Sequence, residues 1–230
     1  SSIHGKFYQE LAEKTTILPE GYLSMRDDEK INALADLSAQ ETSTVITDPI
    51  LQDTIQSVTA IRAIQQYNGV EGCNRYIISQ CNSALNAMEV YGLFLLAGWN
   101  KEELNVDIVP LFETIDDLRQ AAGVMKTLYT HPAYKAHLKR RGNQQTIMLG
   151  FSDGTKDGGY LMANWCIYKA KEELTRISRE NEIDVVFFDG RGGPPSRGGG
   201  KTHKFYASMG HNISNKEIQL TIQGQTVSSN

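Results

Sequence analysis

The chain has 230 residues, 40% of them hydrophobic, so it is long enough to bury the core of one or two domains. It contains 23 Lys and Arg against 27 Asp and Glu, which gives a formal net charge of −4. This balance argues against a nucleic-acid-binding protein, because such proteins carry a basic excess. Small anionic ligands are still allowed, since local groups of Arg and Lys decide whether they bind.

The cysteines and the absence of targeting patterns predict a cytoplasmic protein. Cys73, Cys81 and Cys166 form no C-x-x-C pair, and we interpret them as buried, reduced thiols. The longest apolar stretch, residues 90–99, is too short to cross a membrane, and no signal-peptide pattern is visible. The chain starts at Ser1 without an initiator Met, as expected of a fragment.

The apolar pattern changes near residue 70. Residues 1–70 have the spacing of helices and no convincing strand. Beyond them, short apolar runs alternate with helical stretches that end near residues 97, 129 and 179. The predicted strands are residues 76–78, 106–112, 146–151, 185–188 and 218–222. This alternation predicts an α/β fold with a parallel sheet over residues 71–230, preceded by an all-helical region over residues 1–70.

Two carboxylates follow successive predicted strands. Glu113 comes directly after the second strand, and Asp153 after the third. Ligands of parallel α/β folds bind at the carboxyl ends of the strands, so the two acids are expected to face one site. Magnesium is commonly held by one or two carboxylates, with water and substrate oxygens completing its octahedron. Each acid alone also fits a helix N-terminus or a turn.

Basic residues occur in two glycine-rich segments. Lys156 lies in the predicted loop after the third strand, where a lysine and the amides of a helix start favour phosphate or carboxylate. Residues 189–203, DGRGGPPSRGGGKTH, contain six glycines together with Arg191 and Arg197, a composition suited to close, bidentate anion binding. A disordered linker or an RGG-like segment is the alternative. A P-loop is excluded, because Pro195 stands where that motif needs glycine.

The five histidines show neither zinc-ligand spacing nor the order of a Ser-His-Asp triad. We interpret His131 and His137 as surface residues between helices. His203 and His211 are expected to have structural roles near the glycine-rich loop. The histidines therefore offer no candidate catalytic site.

Three motifs in the same order resemble the phosphoenolpyruvate carboxylase family. They are residues 110–118 (PLFETIDDL), residues 148–159 (MLGFSDGTKDGG) and residues 190–200 (GRGGPPSRGGG). Residues 76–79 and 222–225 resemble two further strands of that family, so the resemblance runs from about residue 70 to the end.

The resemblance implies a carboxy-lyase that adds bicarbonate to phosphoenolpyruvate and gives oxaloacetate and phosphate. It implies an eight-stranded αβ barrel surrounded by helices, of which residues 71–230 would form an incomplete part. The family's enzymes are cytoplasmic, allosteric homotetramers several times longer than this chain. The remaining segments of a parent chain are therefore expected partners, whereas nucleic acid and membrane are not.

The resemblance also implies roles for individual residues. Glu113 and Asp153 match the two ligands of Mg²⁺ or Mn²⁺. The predicted catalytic residues are Lys156, Arg191 and Arg197. The predicted substrate-binding residues are Arg191, Gly192, Gly193, Arg197 and Gly198, all of them in the glycine-rich loop.

The sequence departs from the family at Asp189, where a histidine usually precedes the Gly-Arg-Gly-Gly motif. An acid there is expected to make the local field less favourable to anions, so we expect no direct contact between Asp189 and substrate. The family's catalytic histidine lies in a segment absent from these 230 residues, which predicts that the fragment alone is inactive. Two alternatives stay open, another magnesium-dependent barrel that binds phosphoenolpyruvate or pyruvate, and a non-catalytic phosphate-sensing module.

Overall fold

Three helices precede the first strand in the computed structural model, which describes residues 2–42, 45–150, 152–190, 200–214 and 216–220. They are α1 (Ser2–Lys14), α2 (Asp27–Ala35) and α3 (Pro49–Asn68). Helix α3 starts where the sequence favours it, because the Asp48 side chain accepts hydrogen bonds from the next free amides and Pro49 occupies the first helical position.

Strands and helices then alternate along the chain. In order they are β1 (Arg75–Ile78), α4 (Ala84–Leu96), β2 (Asp107–Phe112), α5 (Ile115–Thr130), α6 (Pro132–Arg140), β3 (Gln144–Leu149), α7 (Ser152–Glu180), β4 (Asp184–Asp189), α8 (Thr202–Ala207) and β5 (Ile218–Leu220). Each predicted strand is present, and the ends of the first four lie within two residues of the prediction. Residues 221 and 222 of the fifth predicted strand lie outside the described residues.

The described strands form one parallel sheet in the order β1-β2-β3-β4-β5. This order confirms the predicted α/β fold, and the sheet is open, as expected of part of a barrel. The register aligns the last residues of four strands, because Phe112 pairs with Leu149, Leu149 with Asp189, and Asp189 with Leu220. The residues that follow β2, β3 and β4 therefore emerge side by side at the carboxyl edge of the sheet.

One hydrophobic core joins the helices before β1 to the sheet and its helices, with Leu34, Ile55, Leu95 and Ile147 all fully buried in it. The core is continuous across residue 70. The predicted division of the chain at that residue stays a prediction. Among the described residues, no helix combines the length and the apolar character needed to span a membrane.

Helix α6 overturns the interpretation of His137 as a surface residue. His137 is only 1% exposed and lies between the rings of Tyr91 and Tyr134, at centroid distances of 5.9 and 6.0 Å. Tyr134, His137 and Leu138 share one helical face that packs on the core. Burial lowers the pKa of His137 to about 3, so the ring is neutral near pH 7. His131, just before α6, is partly exposed.

The prediction of buried thiols is correct for two of the three cysteines and wrong for Cys73. Cys81 and Cys166 are buried, Cys73 is partly buried, and all three are free of disulfide bonds.

Candidate active site

The carboxyl edge of the sheet brings the two predicted metal ligands to neighbouring positions. Glu113 directly follows β2, and Asp153 lies in the first turn of α7, four residues after β3. Strands β2 and β3 are paired, and the Gly150 amide donates a 2.8 Å hydrogen bond to the Phe112 carbonyl at their ends. The two acids therefore leave the sheet from adjacent strands.

Glu113 is held in place from both sides. The Gln80 amide, in the turn after β1, donates to Glu113 Oε2 at 2.9 Å. On the other side, Thr114 caps α5, because its hydroxyl accepts from the Asp117 amide at 3.1 Å and the Asp117 carboxylate accepts from the Thr114 amide at 3.0 Å. These contacts fix the backbone at Glu113 and orient a partly buried carboxylate at the edge of the sheet.

Glycine at residue 150 allows the chain after β3 to approach Glu113 closely. A Cβ on Gly150 would lie 3.1 Å from both Cα and Cγ of Glu113. One turn later, a Cβ on Gly154 would lie 3.6 Å from the Glu113 carbonyl oxygen. The residue next to Asp153 is thus in van der Waals range of Glu113, which supports placing both acids in one site.

Lys156 interacts directly with the second acid. Its Nζ donates to Asp153 Oδ1 at 3.0 Å, and its side chain is 79% exposed. The expected loop at residues 152–159 is instead the start of α7, which is broken at Gly159, where φ is 78°. The glycines of this segment made a loop the natural prediction, but Gly158 serves close packing, because a Cβ there would lie 2.4 Å from Ile115 Cδ1 at the start of α5.

The donor set at this edge fits a hard divalent cation. Glu113 and Asp153 supply carboxylate oxygens, and magnesium commonly takes one or two such ligands and fills its other positions with water and substrate. Within the described residues, no group of three or more His, Cys, Asp or Glu is placed to hold a metal ion. The assignment of Glu113 and Asp153 as metal ligands stays a prediction.

The remaining predicted site residues lie outside the described part of the chain. They are Arg191, Gly192, Gly193, Arg197 and Gly198. Their roles in binding phosphate and carboxylate stay predictions. The structure does describe both ends of the segment that carries them, at Gly190 and Gly200.

Asp189 does not present an unpaired acid to the site, so the expected unfavourable field is wrong. Lys171 Nζ donates to Asp189 Oδ2 at 2.8 Å, and the side chains are 1% and 5% exposed. The Tyr206 hydroxyl donates to the same oxygen at 2.5 Å. Burial, followed by the nearby Asp189 carboxylate, raises the pKa of Tyr206, which keeps its hydroxyl protonated as a donor.

Sequence reasoning missed Lys171 and Tyr206. A signal for Lys171 was present, because it lies four residues after Ile167 and three before Leu174, on the buried face of α7. A lysine on an apolar face needs a buried partner, and Asp189 at the end of an apolar strand was an available acid.

Comparisons with known proteins all point to one family. The family model described as phosphoenolpyruvate carboxylase matches residues 1–230. A phosphoenolpyruvate carboxylase of Nitrosomonas europaea is 36% identical over all of this chain, and one of Nitrosomonas eutropha is 34% identical over the same extent. One of Corynebacterium diphtheriae is 45% identical over 54% of the chain.

These relatives are much longer than this chain. The chain spans 25% of each Nitrosomonas protein, and the matched part spans 14% of the Corynebacterium protein. It therefore corresponds to one segment of a larger enzyme. Because the family model matches from the first residue to the last, this chain belongs to the phosphoenolpyruvate carboxylase family.

Proposed function

We propose that this chain is the segment of a phosphoenolpyruvate carboxylase that supplies the metal ligands and part of the phosphate-binding site. The observation that carries the proposal is the position of Glu113 and Asp153 after adjacent parallel strands, with Gly150 packed against Glu113. The family match over the whole chain supports the same activity. The other groups of the active site come from the rest of the longer protein.

The proposed reaction joins phosphoenolpyruvate and bicarbonate. A bicarbonate oxygen attacks the phosphorus, the bond from phosphorus to the enol oxygen breaks, and the enolate of pyruvate and carboxyphosphate form. Carboxyphosphate then separates into carbon dioxide and phosphate, and the enolate carbon attacks carbon dioxide to give oxaloacetate. Negative charge gathers on phosphoryl and enolate oxygens, so fixed positive charge at these positions lowers the barrier.

The residues of this chain match those requirements. Glu113 and Asp153 would hold Mg²⁺ or Mn²⁺, which supplies Lewis-acid polarisation of substrate oxygens when bound. Lys156, paired with Asp153 and largely exposed, is within reach of an anionic substrate at the same edge. Arg191 and Arg197 offer guanidinium groups for bidentate contacts with phosphate and carboxylate.

The family resemblance extends the proposal to the whole protein. We expect a cytoplasmic homotetramer under allosteric control, with the sheet completed to a closed barrel by the rest of the longer chain. The family match favours the carboxylase over another magnesium-dependent barrel, because it covers all 230 residues. Measurement of turnover distinguishes the carboxylase from a non-catalytic phosphate-sensing module, because the module would bind phosphate without forming oxaloacetate.

The experiment measures oxaloacetate and phosphate release by the full-length protein with phosphoenolpyruvate, bicarbonate and magnesium. Asp153→Asn is expected to lower turnover at least about 100-fold, because the substrate oxygens lose their charge stabilisation. Asp116→Asn is the matched control, since Asp116 is exposed on α5 and pairs only with the exposed Arg119 in the described contacts. Equal turnover in wild type and Asp153→Asn would contradict the proposal.

A further inference from the structure

A cluster of three buried polar side chains lies beneath the carboxyl edge of the sheet, outside the proposed metal site. We call Lys171, Asp189 and Tyr206 the loop anchor. They come from three elements, α7, β4 and α8, and both Lys171 and Tyr206 donate to the same oxygen of Asp189. All three residues are less than 10% exposed.

Burial makes these contacts costly to break. An ionised carboxylate or ammonium loses its hydration when buried, and only a close partner of opposite charge offsets that loss. In the described contacts, the buried charge of Lys171 Nζ is stabilised by Asp189 and by two aromatic rings. The ring centroids lie 5.5 Å away for Phe187 and 5.4 Å away for Tyr206. The anchor is therefore expected to hold α7, β4 and α8 in one arrangement.

The loop anchor lies on both sides of the glycine-rich segment in the sequence. Asp189 is the last residue of β4 and directly precedes Gly190, whereas Tyr206 lies on the short helix that follows Gly200. The bond between them joins the two ends of the segment that carries Arg191 and Arg197. At its start, this segment also touches the end of β3, because a Cβ on Gly190 would lie 3.2 Å from the Leu149 carbonyl oxygen.

Further contacts hold the chain after α8 on the same helix α7. Arg179 donates to the His211 carbonyl at 3.2 Å, Asn212 donates to Glu172 at 3.2 Å, and the Ser214 amide donates to the Thr175 hydroxyl at 3.0 Å. These contacts lie beyond α8. Among the described hydrogen bonds of α8 itself, the one that reaches another element is that of Tyr206 to Asp189.

Resting on the proposed function, we propose that Lys171 and Tyr206 are positioning residues that act through Asp189. The anchor holds the described residues on either side of the glycine-rich segment, Asp189 and α8, in a fixed relation to each other, and the proposed function requires this segment at the carboxyl edge. Lys171 neutralises Asp189 and thereby makes an acid acceptable at this position. The hydrogen bond from Tyr206 to Asp189 holds α8 next to the end of β4.

The first test uses Tyr206→Phe in the full-length protein, which removes one hydroxyl and keeps the ring. Tyr129→Phe is the matched control, because Tyr129 is also buried and its hydroxyl bonds Ser178 at 3.1 Å, seven residues beyond Lys171 on α7. We expect Tyr206→Phe to lower kcat about 10- to 100-fold, together with the modest fall in thermal midpoint that follows from the loss of one buried hydrogen bond. Tyr129→Phe should leave kcat within about twofold.

The second test separates position from stability. The double variant Lys171→Met with Asp189→Asn removes both charges but keeps an oxygen that accepts from Tyr206. The double variant Lys171→Met with Asp189→Leu also removes both charges, and its leucine, similar in size to asparagine, offers no acceptor. Both double variants avoid an unpaired buried charge, so both should fold. We expect the Asn form to keep kcat within about threefold and the Leu form to lose at least about tenfold. Equal kcat in the two forms would overturn the positioning role.

Hydrogen exchange gives a readout that does not depend on activity. Amides in residues 200–207 should exchange at least tenfold faster in Tyr206→Phe than in Tyr129→Phe, because the bond to Asp189 no longer holds α8. Unchanged exchange would overturn the anchor itself. A wild-type protein that makes no oxaloacetate would overturn the proposed function instead, and the exchange measurement would still decide the anchor.

Discussion

Gly150 sets how closely the chain after β3 approaches the first predicted metal ligand. A Cβ there would lie 3.1 Å from the Cα and the Cγ of Glu113, so it would press on both the backbone and the side chain of that residue. Neither group can move without disturbing the cap of α5 or the hydrogen bond from Gln80. The geometry of the two carboxylates therefore depends on a glycine at this position.

Gly150→Ala is expected to displace Glu113 and weaken the metal site. In the full-length protein, the magnesium concentration for half-maximal oxaloacetate formation should rise about tenfold, in keeping with the sensitivity of metal sites to the groups that orient their ligands. Gly123→Ala is the control, because a Cβ on Gly123 meets no atom within 4 Å and alanine favours the helix by about 0.5–1 kcal/mol. A magnesium dependence that is unchanged in Gly150→Ala would show that the close approach is unimportant.

At this scale, sequence reasoning found the acids but not their surroundings. Glu113 and Asp153 could be identified because each follows an apolar strand, and parallel strands end at a common edge. Lys171 could be recognised as a lysine on a buried face, with Asp189 as one available acid. The contact of Tyr206 with the same oxygen could not be predicted, because Tyr206 lies 17 residues after Asp189 and meets it only through packing. The expected field of Asp189 was wrong for that reason.

Helix α4 buries an acid that has an elevated pKa. Almost every residue of this helix is buried, and Glu89 is 6% exposed, with its Oε2 lacking a hydrogen-bond partner among the described residues. Desolvation raises the pKa of Glu89 from 4.5 to about 7. The folded state therefore holds a proton that the unfolded state releases near pH 4.5.

The stability contributed by that proton is present below pH 4.5 and lost as the pH rises to about 7. Glu89→Gln resembles the protonated form, so its advantage over wild type should grow by about 2 to 3 kcal/mol between pH 5 and pH 8. Thermal midpoints of the two full-length proteins at both pH values measure this difference. Glu102→Gln, at an exposed position, is the control and should show no such growth. An equal advantage at both pH values would contradict the elevated pKa.

The elements were predicted where the apolar pattern is continuous. Strands β2 and β4 each contain an unbroken apolar run, residues 108–112 and 185–188, because parallel strands are buried on both faces. Helix α6 was missed because only three of its nine residues are buried, which is too weak a period in so short a segment. The start of α7 was missed because glycine disfavours helices, and packing of Gly158 against Ile115 outweighs that preference.

At the scale of the whole molecule, the described sheet is open at β1 and β5. The first half of α7 also exposes apolar side chains, with Leu161 82% and Trp165 59% exposed. Open strand edges and exposed apolar side chains are typical of surfaces that other segments cover. The relatives extend well beyond the part that this chain matches. That the strands are parallel was predictable from the sequence alone.

The isolated 230-residue chain is expected to make no oxaloacetate and to self-associate. Groups that act as a unit lose nearly all activity when one is missing, and the uncovered surfaces favour contacts between copies. A coupled assay and size-exclusion chromatography measure the two properties, with the full-length protein as the control. Steady oxaloacetate production by the isolated chain, abolished by Asp153→Asn, would show that its own residues suffice.

Manganese binding to the full-length protein tests most directly whether Glu113 and Asp153 form a metal site. Titration with Mn²⁺, followed by electron paramagnetic resonance, compares wild type with Glu113→Gln, Asp153→Asn and the control Asp116→Asn. We predict a Kd at least about tenfold weaker in the first two variants, because each removes one charged oxygen ligand, and an unchanged Kd in Asp116→Asn. A Kd that stays at the wild-type value in both Glu113→Gln and Asp153→Asn would contradict the assignment.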